Sequence, residues 1–350
     1  MSDSMRLKLE RLINQGILAK KDLALSSISP RFVFRRYAQK LSAQNARIIR
    51  PLPGKALPEI SVNVGIYQGN NPSALKLCDF LQKRLSDDLF GAYVHGSIAT
   101  TEEVAYSDFD ALVIIKESVL ADEHRLAATA YRLHQATRFM YEYDPLQHHG
   151  WFVLLESELR RYPQDYFPYE LFAFAKSLFP DQGRKFSLSL NPEPGASTLF
   201  YMLASNIINR LNNAAYPQNI YQLKSLLSEF MLLPALYVQL RDKEGIFKKY
   251  SFAAARKDFS TADWQIMDDV SRLRDNWHYE TNSLQEWLMR KPGFIFRKLS
   301  ARMAPAIPPD LKAILTPSFY QRMAALAYQM KSQSSLVNKI SEKNLDRMPI

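Results

Sequence analysis

Asp108 and Asp110 stand two residues apart at the head of an apolar, β-branched run, Ala111-Leu112-Val113-Ile114-Ile115. Such a run reads as a strand, and residues i and i+2 of a strand share a face, so both carboxylates can grip the same cations. Hard divalent cations such as Mg²⁺ take oxygen ligands, typically one or two carboxylates together with substrate phosphates. About ten residues upstream, the short apolar segment Gly91-Ala92-Tyr93-Val94-His95 ends in Gly96-Ser97. A glycine there lets phosphate approach the backbone, and a following helix aims free N–H groups at it. Together these residues describe a site for a metal-bound nucleoside triphosphate.

An apolar strand, Gly-Ser, a spacing of about ten residues, then Asp-x-Asp in a second strand is the order of Gly96, Ser97, Asp108 and Asp110. In this the chain resembles the DNA polymerase β-like nucleotidyltransferase superfamily, over about residues 75–160. The resemblance implies transfer of a nucleoside monophosphate from an NTP to an acceptor hydroxyl or phosphate, with release of pyrophosphate. It implies that Gly96 and Ser97 bind the triphosphate, and that Asp108 and Asp110 are catalytic and hold two Mg²⁺ (or Mn²⁺) ions. It also implies a third carboxylate on a later strand, beside the acceptor. The strand in that place is Trp151-Phe152-Val153-Leu154-Leu155, and its lead, Asp144-Pro145-Leu146-Gln147-His148-His149-Gly150, has no acid flanked by apolar residues. Three candidates stand: Asp144 before the strand, Glu156 at its end, or a histidine, His148 or His149, in place of the acid. Neutral imidazole serves as a base near pH 7 and as a metal ligand, and position favours His149 as the third catalytic group. Without that third acid, the alternative is a non-catalytic nucleotide-binding or regulatory protein on the same fold.

The elements that must position these groups follow from pattern. Helices are expected over 5–24, 31–48, 72–88 and 119–141, and strands over 91–95, 109–115 and 150–156, with a stiff Pro-rich linker over 51–60. Beyond about 160 the β-branched alternation disappears, and helices are expected near 165–178, 196–213, 218–241, 250–256, 261–276, 281–290 and 318–333. The predicted fold class is α+β: a small mixed β-sheet nucleotidyltransferase core flanked by helices, followed by an all-helical C-terminal domain. The expected division is a basic helical N-terminal extension and linker (1–60), the core (61–160), and a helical bundle with a basic tail (161–350). The helix over 218–241 is apolar all round, as the centre of a bundle would be, which makes Lys224 conspicuous. In many nucleotidyltransferases a C-terminal helix carries Lys with Tyr or Ser to the triphosphate, and Tyr221, Lys224 and Ser225 resemble that arrangement. A lysine snorkelling at the bundle edge is the other reading.

The formal charge of +10 lies on the flanks. Residues 1–50 hold 11 Lys/Arg against 3 Asp/Glu, residues 281–350 hold 11 against 4, and the middle is net negative. Basic ends favour anionic partners, here an anionic acceptor such as nucleic acid or a phosphorylated small molecule. The segment 287–303 interleaves basic and large apolar residues and could lie at an anionic membrane surface or on a nucleic-acid backbone, with docking on the bundle as the alternative. A single cysteine, Cys78, excludes an intramolecular disulfide and fits a reducing compartment. No stretch of eighteen apolar residues is seen, so the expected location is cytoplasmic.

Overall fold

The computed structural model describes residues 2–23, 29–48, 57–190 and 196–345. Two helices come first, Ser2–Gln15 (α1) and Pro30–Ile48 (α2). Strands Glu59–Asn63 (β1) and Gly65–Ile66 (β2) follow, then Pro72–Leu85 (α3), Leu89–His95 (β3), the single turn Gly96–Thr100 (α4) and Asp110–Ile115 (β4). Next are Glu117–Ala121 (α5), Glu123–Tyr143 (α6), Phe152–Leu155 (β5), Lys176–Ser177 (β6) and Lys185–Ser189 (β7). The main sheet is mixed, in the order β2-β6-β3-β4-β5. β3 runs antiparallel to β4 and β6, whereas β4 and β5 are parallel, and β1 pairs with β7 in a separate ribbon.

Local chemistry sets the helix ends. The Asn71 side chain accepts hydrogen bonds from Ser73 and Ala74 N–H, and Pro72 supplies a first helical residue that needs no acceptor. Leu77, Leu81 and Leu85 of α3, four apart, then line its buried face. The single helix expected over 119–141 is broken at Asp122, whose extended backbone lets its carboxylate cap α6 through His124 and Arg125 N–H. Similarly, the first helix stops at Gln15 and not at 24, because Gly16 turns the chain at φ +73°.

The chain divides into two compact units, one of residues 1–163, 172–192 and 281–304, the other of 164–171, 193–280 and 305–350. This differs from the division expected at 60 and 160. Leu9 and Leu12 of α1 and Val33 and Phe34 of α2 belong to the same buried cluster as Val94, Val113 and Val153 of the sheet. Each such side chain contributes about 1.5–3 kcal/mol by burial, so the N-terminal segment is part of the core and not an extension to it. Of the Pro-rich linker, residues 51–56 lie outside the described residues, and 59 onward is strand. The helix expected over 165–178 is absent: a short 3₁₀ turn, Tyr169–Ala173, precedes β6, which pairs Lys176 and Ser177 with Val94 and Tyr93. A two-residue strand is too short to show alternation. Phe172, one of the aromatics of this region, packs edge-on against Tyr93 and Phe186 inside the first unit.

The second unit is helical, with Ala196–Asn212 (α7), Ile220–Asp242 (α8), Lys248–Arg256 (α9) and Thr261–Asp275 (α10). By length and composition α8 could cross a membrane, and 72% of its apolar window is buried. Lys224 in α8 has no solvent exposure, so it does not snorkel. The chain then returns to the first unit with Ser283–Met289 (α11) and Phe294–Met303 (α12), and ends in the second with Pro309–Ile314 (α13) and Pro317–Leu345 (α14). The segment 287–303 thus belongs to the first unit, with the sheet. The architecture is α+β, a small mixed sheet flanked by helices and a helical C-terminal region.

Candidate active site

Strand register builds the site. In the antiparallel pair β3–β4, His95 lies opposite Asp110, which brings the turn at Gly96 beside that carboxylate. Gly96 adopts φ +67°, and a Cβ there would stand 2.4 Å from Asp110 Oδ2. The position therefore demands glycine twice, for its backbone angle and for room. Ser97 follows in the first turn of α4, its carbonyl accepting from Glu102 N–H at 3.0 Å. Phe109 sends its ring into the core, edge-on to Tyr143 at 5.7 Å between centroids. Alternation then brings Asp108 and Asp110 out on the opposite side.

The loop from 144 to 151 brings His149 to this pair. Its Nε2 lies 3.2 Å from Asp110 Oδ1 and 3.6 Å from Asp108 Oδ2. Burial works against the imidazolium, but the hydrogen bond to Asp108 and the charges of Asp110 and Asp108 prevail and push its pKa up to about 9. His148 stands against His149 with ring centroids 5.0 Å apart. Asp108, His148 and His149 each offer one donor atom, all within 4.8 Å of one another. His95, buried at the end of β3, is held below the usual histidine range by desolvation.

The other two candidates for the third acid are engaged elsewhere. Asp144 Oδ1 accepts from Leu146 N–H at 3.0 Å, shaping the turn after α6. Glu156 Oε2 accepts from Glu117 N–H at 2.9 Å, at the far end of β5. The four residues of β5 put it roughly 13 Å along the strand from the end that carries the aspartates.

Two residues to which the sequence pattern assigns no role at the site hold this arrangement. Gln147 is fully buried; its Oε1 accepts from Phe109 N–H and its Nε2 donates to Phe109 C=O, both at 2.7 Å. It thereby pins the residue between the two aspartates. Arg297 of α12 donates through Nη2 to the Gln147 carbonyl at 2.5 Å and through Nη1 to the Met289 carbonyl at 2.7 Å. Its guanidinium also lies 4.0 Å from the centroid of the Tyr141 ring. A Gln before a His pair and an Arg in an amphipathic segment carry no local signal of these contacts.

The donor atoms close enough to share one cation are those of Asp108, His148 and His149, with Asp110 joined to the group through His149 Nε2 at 3.2 Å. One carboxylate and two imidazoles suit Mn²⁺, which tolerates nitrogen, better than Mg²⁺. The space that a Cβ at Gly96 would take from Asp110 is consistent with that use. The structure therefore brings together Gly96, Ser97, Asp108, Asp110 and His149 in the first unit. Lys224, expected to serve the triphosphate, is buried in α8 of the second unit.

No protein-family model and no curated protein matches the chain. Among solved structures, it is similar to a spectinomycin adenyltransferase of Enterococcus faecialis, determined with ATP and spectinomycin. That likeness has a TM-score of 0.35 and 12% sequence identity, and covers 67% of this chain and 98% of the other.

Proposed function

We propose that the chain is a metal-dependent nucleotidyltransferase, moving a nucleoside monophosphate from an NTP to an acceptor with release of pyrophosphate. The observation that carries this reading is the convergence of Asp108, Asp110 and His149 at the sheet end beside Gly96. A divalent cation held by the aspartates would neutralise triphosphate charge and favour in-line displacement at phosphorus. In this scheme Gly96 and Ser97 leave the triphosphate access to the backbone. His149, once neutral, takes the proton from the attacking acceptor hydroxyl, the place the superfamily gives to a carboxylate. The basic segments suggest an anionic acceptor, nucleic acid or a phosphorylated small molecule.

The test is calorimetric binding of each NTP with Mg²⁺ or Mn²⁺, together with assay of pyrophosphate release on candidate acceptors. Asp108→Asn and Asp110→Asn should each abolish release and leave the fold intact; unchanged turnover in either would overturn the assignment. One observation favours a second reading. His149 makes ion-pair contacts with both aspartates, giving them a built-in countercharge in place of the third acid. Metal-dependent NTP binding with no pyrophosphate release on any acceptor would support a non-catalytic nucleotide-binding protein.

A further inference from the structure

Four arginines from three helices line one recess of about 510 Å³ in the first unit. Arg31 and Arg35 lie one turn apart on α2, Arg84 lies in the last turn of α3, and Arg132 comes from α6, with Tyr131 and Phe80 as aromatic walls. Arg84 stands before the start of β3, and Gly96 follows its end. The seven residues of β3 span roughly 23 Å, so the recess is separate from the paired aspartates.

Arg31, Arg35 and Arg84 are exposed to solvent, and Arg31 and Arg132 are held in place by their neighbours. Arg31 lies over the Tyr131 ring at 5.5 Å, and Tyr131 is fixed edge-on to Phe34. Arg132 donates to the Arg84 carbonyl at 3.2 Å and comes within 3.6 Å of Asp88. That carboxylate is already engaged by Arg125 at 2.6 Å and by Thr129 at 2.7 Å. At the rim, Glu123 stands 3.8 Å from His124. Arg31, Arg35 and Arg84 make no ion pair with a carboxylate among the described residues. Moreover, the first turn of α2 holds no acid while Arg31 sits in it, the unfavourable sign for a helix N-terminus. Arg132 has a partner in Asp88, whereas neither helix stability nor local pairing accounts for Arg31, Arg35 and Arg84 beside it.

We propose that the recess binds a compact, multiply phosphorylated small molecule through Arg31, Arg35, Arg84 and Arg132. Guanidinium groups match phosphate oxygens in bidentate geometry, and four of them call for more than one phosphate. Three helices enclosing one hollow suit a compact ligand better than an extended polymer, which would need a basic stripe.

The experiment is calorimetry of the full chain with inorganic tripolyphosphate, in buffer with a chelator so that no divalent cation can bridge phosphate to Asp108 and Asp110. Saturable binding is expected, weakening steeply with salt, and weakening roughly tenfold or more in R31Q/R35Q. R84Q, on a different helix, should weaken it in the same direction, with melting temperatures confirming that both variants fold. K76Q removes an exposed α3 cation that pairs with Glu142 at 3.2 Å outside the recess, and should leave binding unchanged. Unaltered affinity in R31Q/R35Q, or an equal loss in K76Q, would overturn the proposal as diffuse charge attraction. Tighter binding of a single-stranded oligouridylate that displaces tripolyphosphate and depends on the same arginines would overturn it in favour of nucleic acid.

Discussion

Replacing Gln147 by Leu tests whether one buried amide sets the position of the aspartate pair. The side chain makes two hydrogen bonds of 2.7 Å to the Phe109 backbone, in a place with no solvent exposure. Leu fills similar volume but satisfies neither group. Each buried backbone group left without a partner costs about 1–3 kcal/mol, and the added apolar burial offsets part of it, for a net of about 2–4 kcal/mol. The loss is local, so hydrogen exchange at the Phe109 amide is the suitable assay: protection should fall roughly 30- to 1,000-fold at about 1.4 kcal/mol per decade. Released from its anchor, the 108–110 backbone should also lose Mn²⁺ affinity. Arg297→Leu should act in the same direction but more weakly, since Arg297 reaches the Gln147 carbonyl and not Phe109 itself. If Gln147→Leu left both Phe109 protection and Mn²⁺ affinity unchanged, the aspartates would be positioned by the strand alone and the reasoning would fail.

Two further outcomes follow from the same geometry. His149 has a folded pKa raised to about 9, so in the metal-free protein its stabilising contribution is complete below about 6.5 and is lost as pH rises through 9. A cation taking its place must displace that proton, so Mn²⁺ affinity should climb roughly tenfold per pH unit up to about pH 9, and His149→Gln should flatten the profile; a wild-type affinity independent of pH between 7 and 9 would contradict the protonated ion pair. Gly96→Ala places a Cβ 2.4 Å from Asp110 Oδ2 and forces Ala to φ +67°, a strain of about 1–2 kcal/mol. Calorimetry should show Mn²⁺ affinity reduced about tenfold with the melting transition retained, and full affinity would show that Asp110 is free to move.

The parts of this protein legible in its sequence are those governed by short-range periodicity. Alternation through Asp108-Phe109-Asp110 places both acids on one face because Phe109 must reach the core, and the structure has that ring against Tyr143. The start of α3 is expected at Pro72 and lies there, with Asn71 accepting from N–H groups two and three residues on. The break at Asp122 that starts α6, by contrast, is not read from the periodicity of 119–141. The choice between His148 and His149 was not legible in this way. Phe152 pairs in register with Leu112, so straight extension of β5 would put His148, not His149, on the side of Asp110. The chain is not a strand over 144–151, and its path there is set by Gln147 bonding across 38 residues and by Arg297 bonding across 150. Likewise β6 has two residues and no pattern of its own; it is a strand because β3 offers Tyr93 and Val94 an edge to pair. Residues 281–304 return to the first unit for a comparable reason, since the Arg297 guanidinium finds its carbonyl acceptors and the Tyr141 ring there. Local alternation and capping depend on neighbours a few residues away and so can be read along the chain. The partners of His149, Gln147 and Arg297 are defined by closure of the backbone in three dimensions, and only the tertiary structure decides them.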